Sequence, residues 1–152
     1  MERAAIARAC IAAMMSMAWT AIAYAVELQP GLYEIATKSE RDGVVTQRQS
    51  TKCITPDQAR DIIEHISGQV VSSGEQSVRT AACKIVDISK GESKLTWRRE
   101  CSGTLSATQT GRYVIDGPQR FTSEMTSSVT IVGVTVRSVL TTEGRWAGEC
   151  PK

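Results

Sequence analysis

The chain has 152 residues, 18 of them basic and 16 acidic, for a net charge of +2. That length suits one domain behind a leader and leaves no room for a separate catalytic lobe. Basic residues scattered among acids exclude a nucleic-acid partner held by bulk charge, and one histidine is too few for a histidine-rich metal centre.

The N-terminus has the order of an export signal. Arg3 and Arg8 form a short positive region, Ala9 to Tyr24 is apolar apart from Ser16 and Thr20, and Ala23-Tyr24-Ala25 is a small-x-small cleavage site. Residues 1–25 are therefore read as a signal peptide and residues 26–152 as a single domain. Losing Glu2, Arg3 and Arg8 takes the net charge from +2 to +1. The apolar stretch approaches the roughly 17 residues of a spanning helix. Its alanines favour insertion weakly, so no integral span is expected after cleavage. Cys10 precedes most of the apolar region, whereas a lipid-attachment cysteine would end it. The four cysteines left, Cys53, Cys83, Cys101 and Cys150, read as a disulfide framework, which places the protein in the periplasm or outside the cell.

The first two strands are expected at Gly31 to Lys38 and Val44 to Cys53, around the turn Arg41-Asp42-Gly43. A helical period follows. Thr55 can cap, Pro56 suits the first position, and Gln58 completes a capping box. Ala59, Ile62, Ile63 and Ile66 then form one apolar face to be buried against the sheet, Asp57, Asp61 and Glu64 stay in solvent, and Gly68 offers a stop. Gly68 to Thr80, rich in Ser and Gly, reads as a linker.

Strands return at Cys83 to Ile88 and from Lys94, where Leu95, Trp97, Arg99 and Cys101 alternate with Thr96, Arg98 and Glu100. The adjacent Arg98 and Arg99 fit a solvated strand surface. Leu105 to Ile115, Phe121 to Ile131 and Val134 to Thr142 continue the pattern, with turn signals at Asp116-Gly117-Pro118 and Gly133. Short connections favour antiparallel pairing of sequential strands. The expected fold is mainly β: an antiparallel meander of about seven strands, a curved sheet or half-barrel, with one helix packed on it.

Counting outward from Glu92 puts Cys83 opposite Cys101, within disulfide reach for antiparallel neighbours. Cys53 would then pair with Cys150, tying the residues before the helix to the C-terminus. Four cysteines allow three connectivities, and crossed pairs would mean a different hairpin register.

No catalytic, cofactor-binding or metal residue is assigned. His65 has Asp61 and Glu64 as helix neighbours and reads as part of a solvated face. There is no C-x-x-C pair, G-x-S-x-G elbow or phosphate-cradling glycine loop, so an enzyme is not expected. Binding fits better. The alternating positions Leu105, Ala107, Tyr113, Ile115, Phe121, Met125, Val129 and Ile131 could line an apolar cleft, with Ala107, Gly111, Ser123 and Ser127 leaving space for a ligand or allowing close packing under the helix. The expected partner is an apolar small molecule or lipid of the envelope. The alternative is an envelope protein docked on an exposed sheet edge.

Pro30-Gly31-Leu32-Tyr33-Glu34, Cys53-Ile54-Thr55-Pro56, Cys83 and Cys101 flanking a hairpin with Leu95-Thr96-Trp97, and Gly144-Arg145-Trp146-Ala147-Gly148-Glu149-Cys150 follow one another in this order. The chain thereby resembles the bacterial domain-of-unknown-function family 3617 over essentially the whole of residues 26–152. The resemblance implies a small exported protein of a Gram-negative bacterium, with a periplasmic home and no catalytic residues to carry over. Members often have Met- and Pro-rich segments after the first strand, whereas Arg41 to Gln49 here is polar and charged.

Overall fold

The computed structural model describes residues 27–74 and 81–151. The signal peptide expected at residues 1–25, with Cys10 and the cleavage site, lies outside the described residues. Seven strands form one sheet: β1 (Gly31–Arg41), β2 (Val44–Ile54), β3 (Ala81–Lys90), β4 (Lys94–Gly103), β5 (Ser106–Ile115), β6 (Arg120–Ile131) and β7 (Val134–Gly148). Every pair is antiparallel, in the spatial order β2-β1-β7-β6-β5-β4-β3. The meander is thus interrupted once, where β1 pairs with β7. The sheet is open, with β2 and β3 as its edges.

Alternation sorts the side chains. Tyr33, Leu95, Tyr113, Ile115 and Phe121 share one face and form a core with Leu28, Ile54, Ala59, Ile62 and Ile63. The opposite face is rich in Thr, Arg and Glu. There Glu143 accepts from Arg145 Nε at 2.7 Å and faces Arg120 Nε at 3.0 Å. The guanidinium of Arg145 first, then that of Arg120, hold its carboxyl below the usual range.

The helical segment departs from expectation in three ways. It is two helices, α1 (Pro56–Arg60) and α2 (Ile62–Gly74), separated at Asp61, whose φ of −119° and ψ of 38° leave helical geometry. The capping box forms: Gln58 N donates to Thr55 Oγ1 at 3.3 Å and Thr55 N donates to Gln58 Oε1 at 3.1 Å. Gly68 does not stop the helix, and α2 takes in residues 68–74 of the expected linker. The reason is tertiary. Ser67 is buried, Val70 packs beside Ile66 against the core, and a β-carbon on Gly68 would meet nothing within 4 Å. Gly68 therefore lies on the outer side, where its low helix propensity costs only about 1 kcal/mol. Ile62 and Ile63 are buried, whereas Ile66 is only partly so. Each buried isoleucine contributes roughly 1.5–3 kcal/mol.

Two links hold the ends. Cys53 is joined to Cys150 with Cα atoms 5.6 Å apart, and Cys83 to Cys101 with Cα atoms 4.0 Å apart. The second pair faces across the β3–β4 hairpin as expected, but next to the turn the register is one residue off a count from Glu92, with Lys90 opposite Leu95, and the irregularity between Ile85 and Asp87 restores it. At the N-terminus, Tyr33 OH donates to Gln29 O at 2.7 Å and Gln29 N donates to Pro118 O at 2.6 Å, which seats Leu28 in the core.

Candidate functional site: the helix-bearing face

Helix α2 covers only part of its face of the sheet. Beyond it, three cross-strand pairs on the same face run toward the β6–β7 turn: Met125 with Leu140, Val129 with Val136 and Ile131 with Val134. These pairs are apolar because one sheet face is normally buried, yet no element of the described residues lies on them. Met125, Leu140, Val129 and Val136 are half-buried, while Ile131 and Val134 are exposed.

Hollows stand at both ends of this row. Under the side of α2, Ile62, His65, Ile66 and Gln69 face Trp97, Tyr113, Phe121 and Ser123 across about 230 Å³. Ile54, Lys52 and Gln58 complete the rim. Near the hairpin end, Ser127, Val129, Ile131, Val134, Val136 and Ser138 line about 360 Å³, with Arg41 beside them. That second volume is at the lower end of the roughly 300–1,000 Å³ of ligand pockets. Larger hollows of about 530 Å³, beside Cys83 and Cys101 and beside Glu34 and Glu143, are lined mainly by polar side chains.

The floor under the helix is aromatic and filled. Phe121 lies 5.2 Å from Tyr113 and 5.7 Å from Tyr33 between ring centroids. A β-carbon on Gly111 would collide with the Trp97 ring, and one on Gly144 with the Phe121 ring. These glycines are the seats of two rings from neighbouring strands. Gly111, grouped in the sequence with positions able to leave space, leaves none. Ser123 and Ser127 do line hollows.

Of the apolar positions read from the alternation, Tyr113, Ile115 and Phe121 are buried, and Leu105, Ala107, Met125 and Val129 are half-buried. The sequence reading omitted Leu140, Val136 and Trp97 from this surface. Their parity on β7 and β4 was the signal available for them. Tyr113 and Tyr33 have their phenol pKa values raised by burial.

The polar groups do not converge on a reaction centre. His65 is half-buried and receives a hydrogen bond at its Nε2 from Gln69 Nε2 at 3.2 Å. Glu64 is engaged by Lys90 at 2.9 Å, and Arg98 by Glu100 at 2.6 Å. Asp57 and Asp61 are exposed. Among the described residues no group of three or more His, Cys, Asp or Glu is arranged to hold a metal ion, and no helix is long and apolar enough to cross a membrane.

An open antiparallel sheet carrying a short helical segment on one face, with an apolar row left uncovered, defines the class of this domain. The chain belongs to the family described as protein of unknown function (DUF3617), whose model matches residues 28–150. No curated protein and no solved structure matches it.

Proposed function

We propose that this is an exported periplasmic protein that binds an apolar envelope molecule without transforming it. The observation that carries the reading is the row Met125/Leu140, Val129/Val136 and Ile131/Val134, which leads from the hollow beside Trp97 to the one beside Arg41. An apolar chain laid along it would bury half-exposed methyl and thioether groups at roughly 25 cal/mol per Å². Ser127 and Ser138, paired across β6 and β7, interrupt the row with side chains small enough to leave depth. The noncatalytic part of the proposal rests on His65 being committed to Gln69 and the neighbouring acids being exposed or paired. Export rests on the N-terminal signal pattern and on two disulfides, which persist in oxidising compartments.

The test is native mass spectrometry of protein purified from its own periplasm. A co-purifying lipid-sized mass, lost when Leu140→Lys is introduced, is expected. Repeated ligand-free spectra would overturn the reading. A stable protein partner in those spectra would favour the second reading, in which β2 is the docking edge. That strand is outermost, and all its residues from Val44 to Cys53 are exposed. Such an edge offers unpaired backbone groups to an added strand.

A further inference from the structure

Five of the seven exposed large apolar side chains among the described residues cluster at one end of the sheet, the other two being Val71 on α2 and Val86 on β3. Val132 is 94% exposed, Val134 66% and Ile131 52% at the β6–β7 turn, and Val44 is 65% exposed at the neighbouring β1–β2 turn. β1 accompanies β7 only as far as Arg41 opposite Ser138. On that side the β6–β7 hairpin continues from Ser138 to Val134, about 13 Å at roughly 3.3 Å per residue, while on the other side β5 accompanies β6 as far as Ser106 opposite Thr130, so residues 131–134 are what passes both neighbours. From Met125 to Thr142 its one charged residue is Arg137.

The turn itself is made at a cost in stability. Ile131 pairs with Val134 across a two-residue loop in which Val132 has φ 48° and Gly133 φ 79°. Positive φ at both positions marks a type I′ turn, for which Asn-Gly and Asp-Gly are favoured. The β1–β2 hairpin obeys that rule with Asp42 at φ 49° and Gly43 at φ 79°. The β6–β7 hairpin instead holds a β-branched residue in the left-handed region, where such residues are outliers. A strained, 94% exposed valine at the apex of a hairpin end whose one charged residue is Arg137 brings nothing to the fold.

We propose that this hairpin end docks on a bilayer surface bearing anionic headgroups, with Ile131, Val132 and Val134 entering the headgroup–acyl boundary. Shape and charge both select this occupant. The patch is the tip of a hairpin and has no aromatic anchor, unlike the centre of a protein interface. Burial at the shallow end of the roughly 5–10 Å of interfacial segments takes in residues 131–134, which pass both neighbouring strands. At that depth Arg137, about 10 Å from Val134 along β7, stands at headgroup level. Arg41 stands at the shoulder behind it, partly offset by Asp42 at 3.8 Å. The inference does not depend on a ligand in the groove, although the apolar row opens at this end.

Vesicle flotation of the oxidised chain from Val26 onward tests it, using phosphatidylcholine vesicles with and without phosphatidylglycerol. The wild-type protein is expected to float with the anionic vesicles, and less so as salt is raised. Val132→Asn is expected to raise the melting temperature, because it suits the turn, and to lower vesicle partitioning roughly tenfold through loss of one buried valine side chain. Weaker binding by a more stable protein cannot be a folding defect. Absence of wild-type flotation with either vesicle would overturn the proposal, as would Val132→Asn floating as well as wild type. Self-association of the wild type that Val132→Asn abolishes, without vesicle binding by either, would also overturn it and assign the hairpin end to a second copy of the chain.

Discussion

The indole ring of Trp97 stands over Gly111 so closely that a β-carbon at residue 111 would fall among its ring atoms. The two residues are direct cross-strand partners on β4 and β5, and the missing side chain of one makes room for the large side chain of the other. Trp97 also walls the hollow beside His65, so the pair links core packing to the proposed binding surface.

Gly111→Ala should therefore displace the indole toward α2. The expected cost is about 1–3 kcal/mol, the range for overpacking. Denaturant unfolding should show a lower midpoint with an unchanged slope, together with a shift in tryptophan emission. An unchanged midpoint would mean that the ring can leave Gly111 freely.

Gly68→Ala should act in the opposite direction. Nothing lies within 4 Å of the added methyl group, and the residue is inside α2. A gain of roughly 0.5–1 kcal/mol is expected in equilibrium unfolding. A loss would show that α2 ends at Gly68 after all.

Alkaline pH should destabilise the fold through its tyrosines. In a chain starting at Val26 these are Tyr33 and Tyr113, and burial raises the pKa of both above 10.0. The unfolded chain would ionise near pH 10 while the folded one retains its protons. Their contribution is thus complete below that pH and is lost as pH rises toward the folded values. Tyrosinate absorbance should stay low past pH 10 and then rise together with unfolding. An independent titration near pH 10 in the folded protein would contradict this.

The two disulfides should differ in weight. Cys53–Cys150 spans 97 residues of sequence and Cys83–Cys101 only 18. On the chain-entropy model the longer closure is worth nearly 5 kcal/mol and the shorter roughly 3. Replacing Cys53 and Cys150 together by Ser should lower the unfolding midpoint more than replacing Cys83 and Cys101. Peptide mapping without reduction should return the same two pairs, and a Cys53–Cys83 peptide would contradict both.

The strands were legible because period-two alternation and Gly- or Pro-containing turns are local signals. Thr55, Pro56 and Gln58 likewise announce a helix start from adjacent residues alone. The end of α2 was not legible, because Gly68 is a good local stop and only the packing of Val70 and Ser67 on the sheet overrides it. The candidate surface was half legible. Alternation assigns Met125 and Val129 to the inner face but does not say that α2 falls short of them. Nor does it place Val132 at positive φ, since Gly133 announces a turn without fixing which residue precedes it in the left-handed region.

The pairing of β1 with β7 also fixes the order in which the sheet can be completed. A chain emerging from its N-terminus makes the β1–β2 hairpin first, yet the inner flank of β1 stays bare until the last strand arrives. Contacts so distant in sequence make folding slow. For that interval two hairpins with exposed apolar tips, a charged one ending in Val44 and Val45 and the other ending in Ile131 and Val132, are not yet joined by the β1–β7 ladder. The inner backbone edge of β1 is thus open to pairing with another chain until β7 zips against it.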